Sequence, residues 1–147
     1  KEIPDIHLDL VGGTGNMESK VLELVKQHPD TLRYRGKIYD KAELQKVYLE
    51  NSIFAMPSKT ETFGLVYIEA LSQGLAVLYT KGEGIDGLFE EKIGESVHPT
   101  SLTDIENALR EMLLHPEAYQ NLDKERFESF NWKIIAGKYQ KIYQNNA

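Results

Sequence analysis

Hydrophobic residues along the chain follow two periods, and these periods predict strands and helices in turn. Short alternating or continuous apolar runs predict strands, as from Ile6 to Val11, a run that ends at a glycine pair. Apolar residues three and four apart predict helices, as from Met17 to Val25. The same patterns predict strands at 32–35, 53–57, 76–79 and 95–98, and helices at 42–50, 65–72, 101–114, from 116 and from 131. Such alternation is typical of an α/β fold with a doubly wound parallel sheet and helices on both faces.

Composition narrows the class of protein. The 147 residues fit one domain with its own core, and the formal charge of −6 comes from interspersed charges, unlike the basic patch of a nucleic-acid-binding surface. No apolar run approaches the ~20 residues that span a bilayer. There is no cysteine for a disulfide or thiolate metal site, and the four histidines share no metal-ligand spacing, so no metal site is predicted. A reducing cytoplasm fits these features.

The segment 55–75, AMPSKTETFGLVYIEALSQGL, contains the clearest chemical signal. Glu61 and Glu69 stand eight positions apart across a turn and the first part of a predicted helix. Gly64 lies at the expected start of that helix, where free backbone N–H groups and the helix dipole favour an anion. Glu69, about one turn into the helix, suits a pair of vicinal hydroxyls. A phosphate and a ribose together indicate a nucleotide.

Each of these residues also has an ordinary structural interpretation. Glutamate forms helices well, so Glu69 could be a solvated helix residue. Glu61 could be a turn residue near a helix N-terminus, where negative charge is favoured in any case. Ser58 and Thr60 could cap a helix instead of binding phosphates. The ring of Phe63 is expected in the core.

The glycine-rich stretch at 12–16, GGTGN, completes neither of the common nucleotide-binding loops. Glu18 stands where the dinucleotide fingerprint requires its third glycine, and no Gly-Lys-Ser/Thr ends the stretch. A nicotinamide-dependent dehydrogenase is therefore disfavoured.

Taken together, the motifs resemble the signature of retaining glycosyltransferases of the two-domain GT-B type, known as glycosyl transferases group 1 or glycosyltransferase family 4. The resemblance runs from Ile6 to Tyr143. The matching pieces in chain order are Gly12-Gly13, Gly36, Pro57-Ser58, Glu61, Phe63-Gly64-Leu65, Glu69-Ala70 and Trp132. The resemblance implies a Rossmann-like C-terminal domain that binds the nucleotide-sugar donor and needs no cofactor or essential metal.

The resemblance also implies a role for each candidate residue. Glu61 would lie beside the transferred sugar and act in catalysis, while Glu69 would bind the ribose. The other donor-binding residues would be Phe63, Gly64, Leu65 and Val66 through their amides at the phosphates and sugar, Gly12 and Gly13 where the loop passes the donor, Lys37 and Ile38 at the nucleobase, and Ser58 at the phosphates.

The sequence therefore predicts the donor-binding part of a retaining hexosyltransferase, which moves a sugar from a nucleotide diphosphate sugar to an acceptor. The family's first strand and helix, with their diphosphate-binding cations, have no counterpart before Ile6. The acceptor-binding N-terminal domain is also expected to lie outside residues 1–147, which form one nucleotide-sugar-binding domain. We expect such a fragment to be inactive alone and open to self-association at the sheet edge where the first strand would pair.

One alternative stays open at this stage. A non-catalytic nucleotide-binding or interaction module on the same scaffold would use Glu69 and the helix amides, but would have no use for Glu61. The expected location is the cytoplasm in both cases, with the full-length enzyme able to act at a membrane surface.

Overall fold

The computed structural model describes residues 6–119, 127 and 130–145, and the chain divides after Ser52 into two compact units. The first unit contains β1 (Leu8–Val11), α1 (Glu18–Gln27), β2 (Leu32–Gly36) and α2 (Lys41–Leu49). The second unit contains β3 (Ile53–Ala55), α3 (Leu65–Ser72), β4 (Ala76–Thr80), β5 (Gly94–Val97), α4 (Leu102–Leu114), a 3-10 helix (Pro116–Tyr119) and α5 (Trp132–Asn145).

All strand pairings among the described residues are parallel, as the sequence predicts. β1 pairs with β2, and β4 lies between β3 and β5. These strands form two sheets, where the sequence predicts one. Which strands share a sheet depends on contacts between residues far apart in the chain, so the periodicity of single segments does not decide it.

The core of the second unit lies where α4 and the 3-10 helix pack on β4 and β5. Val77 and Leu78 on β4 are fully buried, as expected for a central parallel strand with both faces covered. The residues packed around Leu78 are Ala76, Val97, Met112 and Tyr119, with Ile53, Ile105, Ala108 and Leu109 partly buried against them.

Two helices begin at side-chain caps. Asp40 accepts a hydrogen bond from the N–H of Glu43 at 2.8 Å at the start of α2. Ser101 accepts one from the N–H of Asp104 at 3.2 Å at the start of α4. The sequence allows Ser101 or Thr103 at this cap, and the structure selects Ser101 because its backbone is extended while Thr103 already lies inside the helix.

A charged network joins β1 to β2 and to the end of α2 in the first unit. The side chain of Asp9 is only 3% exposed and lies 2.9 Å from Nε of Arg35. Asn51 donates to Asp9 at 3.0 Å, and Arg35 also donates to Glu50 at 2.8 Å. The hydrogen bond from Arg35, supported by Asn51 and Arg33, holds the pKa of Asp9 below its usual value, although burial of the carboxyl group opposes the shift.

We expect Asp9→Asn to lower the free energy of unfolding at neutral pH by about 1–3 kcal/mol, because Arg35 would lose a buried charged partner. The folded-state pKa of Asp9 is lowered, so its contribution is present above the unfolded-state pKa and is lost as pH falls through the folded-state value. Urea titrations from about pH 7 to 2 should therefore show wild type and variant converging in acid. Asp30→Asn, in an exposed turn, is the matched control; a pH-independent difference would contradict this account.

Candidate functional site

The start of α3 depends on a glycine for two independent reasons. Gly64 has φ +74°, a left-handed conformation, and no side chain caps the helix there. A Cβ on Gly64 would lie 2.6 Å from Cε2 of Tyr67 and 3.2 Å from Cγ of Glu61. Backbone conformation and space both exclude a side chain at this position. In the first turn of α3, the N–H of Tyr67 donates to the carbonyl of Gly64 at 2.9 Å, while no N-cap side chain covers the N–H groups of Leu65 and Val66.

Tyr67 fixes this helix start to the strands beneath it. Its side chain is 1% exposed, and its hydroxyl donates to the carbonyl of Met56. Its ring meets Phe54 and Tyr79 edge-on, with centroids 5.6 and 6.4 Å away. Burial, with a smaller contribution from the charge of Glu61, raises the pKa of Tyr67 to about 12. Tyr67 therefore stays a neutral hydrogen-bond donor at physiological pH.

The main chain of Glu61 is held by the loop that follows β4. The N–H of Glu61 donates to Oε2 of Glu83 at 3.0 Å, and the N–H of Gly84 donates to the carbonyl of Glu61 at 3.2 Å. The Thr80 hydroxyl adds a bond of 2.6 Å to the carbonyl of Ser58. Ser58 does not cap α3, which has no side-chain cap. Three hydrogen bonds thus tie the loop before α3 to β4 and its following loop.

Glu69 lies on the exposed face of α3. It follows Leu65 by four residues, so the two share one face, whereas Ile68 and Ala70 beside it are buried. Within the described part of the chain, its carboxylate accepts no hydrogen bond. Glu69 is thus exposed one turn after the amides at the helix start, and its role at a ribose stays a prediction.

The ring of Phe63 belongs to an aromatic cluster and is not an open stacking platform. Its centroid lies 6.0 Å from that of Phe130, which in turn lies 6.1 Å from Phe89. This agrees with the expectation that the ring is part of the core.

In the first unit, a side chain on residue 13 would crowd two neighbouring polar side chains. A Cβ there would lie 2.8 Å from the Tyr34 hydroxyl and 3.2 Å from Oε1 of Glu18. Glu18 accepts from Tyr34 at 2.6 Å and from the N–H of Thr14 at 3.0 Å, which lowers the pKa of Glu18. The stem of Lys37 would lie 3.5 Å from the same Cβ. These side chains leave little room for a Cβ at residue 13, and the donor-binding role of Gly13 stays a prediction.

The other three candidates of the first unit lie near the ends of its strands. The N–H of Gly12 donates to the carbonyl of Gly36 at 2.8 Å where β1 and β2 end. Ile38 is half-buried and lines an open cleft of about 500 Å³ beside α2. The cleft is otherwise lined by Arg35, Asp40, Ala42, Glu43, Lys46, Val47 and Glu50. Gly12, Gly13 and Lys37 thus come together, and the roles of Lys37 and Ile38 at a nucleobase remain predictions.

Comparison with known proteins identifies the family. The model of the family "Glycosyl transferases group 1" matches residues 1–128. The chain belongs to this family. The resemblance inferred from the Glu61–Glu69 segment and its neighbouring motifs is thereby confirmed.

Two relatives of this member of the glycosyl transferases group 1 family agree with that assignment. It is 33% identical over 103 residues to sulfoquinovosyl transferase SQD2 of Arabidopsis thaliana, covering 65% of the chain and 20% of the relative. It is 24% identical over 142 residues to the GtfA subunit of a UDP-N-acetylglucosamine–peptide N-acetylglucosaminyltransferase of Streptococcus pneumoniae, covering 93% and 27%.

Solved structures confirm the α/β fold of this group 1 chain. A sucrose-phosphate synthase from Thermosynechococcus elongatus matches with a TM-score of 0.79 at 29% identity, over 97% of this chain and 39% of that one. The pneumococcal GtfA, in complex with UDP and GlcNAc, matches in fold with a TM-score of 0.72 at 22% identity, over 97% and 30%. The chain thus spans less than half the length of these relatives.

Sequence reasoning missed Tyr67 and Glu83 in this group 1 chain. The spacing of Tyr67, three residues after Gly64, could have indicated a contact across the first helical turn. Glu83 stands between two glycines in a polar loop, and nothing local indicates that its carboxylate meets a backbone amide 22 residues earlier. Such a contact depends on the tertiary fold.

Two kinds of feature are absent from residues 6–119, 127 and 130–145. No helix there is long and apolar enough to cross a bilayer. No group of three or more His, Asp or Glu side chains there is arranged to hold a metal ion. The cytoplasmic location stays a prediction from composition.

Proposed function

We propose that this chain is the donor-binding part of a retaining glycosyltransferase, which transfers a sugar from a nucleotide diphosphate sugar to an acceptor. The family assignment supports transferase chemistry. Retention of anomeric configuration, independence of an essential metal and a hexose as the transferred sugar are the finer parts of the proposal. The acceptor is proposed to bind a separate N-terminal domain.

The observation that carries the proposal is the construction of the start of α3. Gly64 provides no side-chain cap for the amides at this helix start, and both its φ and the Tyr67 ring exclude a side chain on residue 64. Such amides, with the helix dipole, attract the diphosphate of a donor. Glu69, one turn later on the exposed face, supplies an acceptor for the two ribose hydroxyls.

Glu61 has a separate task in this proposal. Its main chain is fixed just before the helix start, and its Cγ would lie 3.2 Å from a Cβ on Gly64, so its side chain begins beside the proposed phosphate site. Glycosyl transfer develops positive charge at the anomeric carbon. A carboxylate placed there contacts the sugar hydroxyls and stabilises that charge more in the transition state than in the ground state.

The function is tested on the complete gene product with a panel of nucleoside diphosphates and their sugar conjugates. We expect calorimetry to show binding of at least one nucleoside diphosphate, and NMR of the transfer product to show the donor's anomeric configuration. Binding without any transfer would favour the non-catalytic nucleotide-binding module. If no member of the panel binds, the proposal of a donor site at α3 is wrong.

Glu69→Gln should weaken nucleoside diphosphate binding by roughly 1–3 kcal/mol, because a charged acceptor shared by two hydroxyls becomes neutral. This corresponds to a rise in Kd of roughly 5- to 150-fold, measured by calorimetry. Glu111→Gln, an exposed glutamate on α4, is the matched control and should leave Kd unchanged. An unaltered Kd in folded Glu69→Gln would mean that Glu69 is a solvated helix residue that does not bind the nucleotide.

A further inference from the structure

Glu83 accepts a hydrogen bond from a residue outside its own loop. It lies half-buried in the loop 81–87 after β4, and its Oε2 accepts the N–H of Glu61 at 3.0 Å. The next residue, Gly84, donates to the carbonyl of Glu61 at 3.2 Å. Both backbone polar groups of Glu61 are thus bonded to consecutive residues of one loop.

The loop has another carboxylate, and its contact is different. Asp86 accepts the N–H of Gly82 at 2.6 Å, within the loop. Asp86 therefore shapes the loop itself, whereas Glu83 connects it to the segment before α3. A Cβ on Gly84 would lie 3.0 Å from Cγ of Glu61, so the loop also packs against that side chain.

We propose that Glu83 is a positioning residue that sets the location of the Glu61 carboxylate. The inference rests on the proposed function, in which Glu61 acts at the transferred sugar. The hydrogen bond from the Glu61 N–H to Glu83 fixes how far the Glu61 peptide lies from the loop, because the length of the Glu83 side chain sets that distance. Together with Gly84, it restrains the peptide on both sides of the Glu61 Cα. A group that acts in a transition state must be held within about 0.5 Å, and the reach of the Glu83 side chain sets this position.

Two conservative substitutions of Glu83 distinguish an effect of the position of its acceptor oxygen from an effect of its charge. Glu83→Gln keeps an acceptor oxygen at the same reach but removes the charge, whereas Glu83→Asp keeps the charge and withdraws it by one methylene. In the complete gene product, we expect Glu83→Asp to lower kcat by roughly 10- to 100-fold with the Kd for nucleoside diphosphate within about twofold of wild type. Glu83→Gln should stay within about threefold of wild-type kcat. Glu90→Asp, at an exposed residue outside this loop, is the matched control.

Amide hydrogen exchange gives a readout that does not depend on activity. The Glu61 amide should exchange at least about tenfold faster in Glu83→Asp than in wild type, and close to the wild-type rate in Glu83→Gln. The amides of β4 report whether each variant is folded. If wild type turned over no sugar nucleotide, the proposed function would fail. The exchange rates would still show whether the hydrogen bond to Glu83 protects the Glu61 amide.

Three results would overturn the inference. The first is an unchanged exchange rate of the Glu61 amide in folded Glu83→Asp. The second is the reverse order of the two variants, with Gln damaging and Asp harmless, because charge would then matter and position would not. The third is equal loss in kcat and in nucleoside diphosphate affinity, which would make Glu83 part of donor binding.

Discussion

Replacing Glu61 with glutamine is expected to lower kcat by roughly 100- to 1000-fold and to change the Kd for nucleoside diphosphate by less than about threefold. The variant is isosteric, so the backbone hydrogen bonds to Glu83 and Gly84 remain. Only the charge that we propose to lie near the anomeric carbon is lost, and its stabilising effect is expected to be greatest in the transition state. A nucleoside diphosphate lacks the sugar and so does not report that loss.

The experiment compares steady-state kinetics with calorimetry on the complete gene product. Glu90→Gln, an exposed glutamate, is the matched control and should leave both quantities unchanged. Parallel losses in kcat and nucleoside diphosphate affinity would contradict a role at the sugar and place Glu61 with the nucleotide ligands. Normal turnover would favour the non-catalytic interpretation of this residue.

Gly94→Ala is expected to destabilise the second unit by about 3 kcal/mol or more. Gly94 opens β5 opposite Val77 of β4. An added Cβ would enter the backbone of Val77, lying 2.6 Å from its carbonyl carbon and 2.8 Å from its nitrogen. Because backbone cannot move aside as a flexible side chain does, β5 would have to separate from the central buried strand.

Chemical denaturation followed by circular dichroism measures this effect. Gly137→Ala in α5 is the matched control, since a Cβ there meets no heavy atom within 4 Å. It should be neutral or stabilising by up to about 1 kcal/mol, because alanine favours helix. Equal stability of Gly94→Ala and wild type would mean that β4 and β5 are further apart than the structure has them.

Local pattern predicted the elements well where periodicity and end signals agreed. The helix predicted at 65–72 matches α3 (Leu65–Ser72) because Gly64 and Gly74 mark its two ends. The first strand, predicted from Ile6, begins at Leu8, since pairing with β2 starts at Leu32. The helix predicted from Pro116 is a single 3-10 turn, Pro116–Tyr119, within the described residues. Helix and strand type were local properties, and so were the ends of α3, whereas the start of β1 depended on its pairing partner.

Part of the candidate site could also be predicted from the sequence, because some of its features are local. Gly64 and Glu69 could be chosen from sequence because a left-handed glycine and a helix residue one turn later are local features. The crowding around Gly13 could not be predicted from the sequence. It arises from Tyr34, 21 positions away, and from the Glu18 carboxylate that accepts a hydrogen bond from Tyr34. The functional roles of all these residues remain predictions.

By itself, the sequence determined the type and order of the elements, the family and the position of the Glu61–Glu69 segment, because periodicity, glycine placement and motif spacing act over a few residues. Only the tertiary structure decided that the strands pair as two sheets and that Glu83 holds the amide of Glu61. Strand pairing and long-range hydrogen bonds join residues far apart in the chain. Their partners are selected by the packing of the whole unit, which no local pattern records.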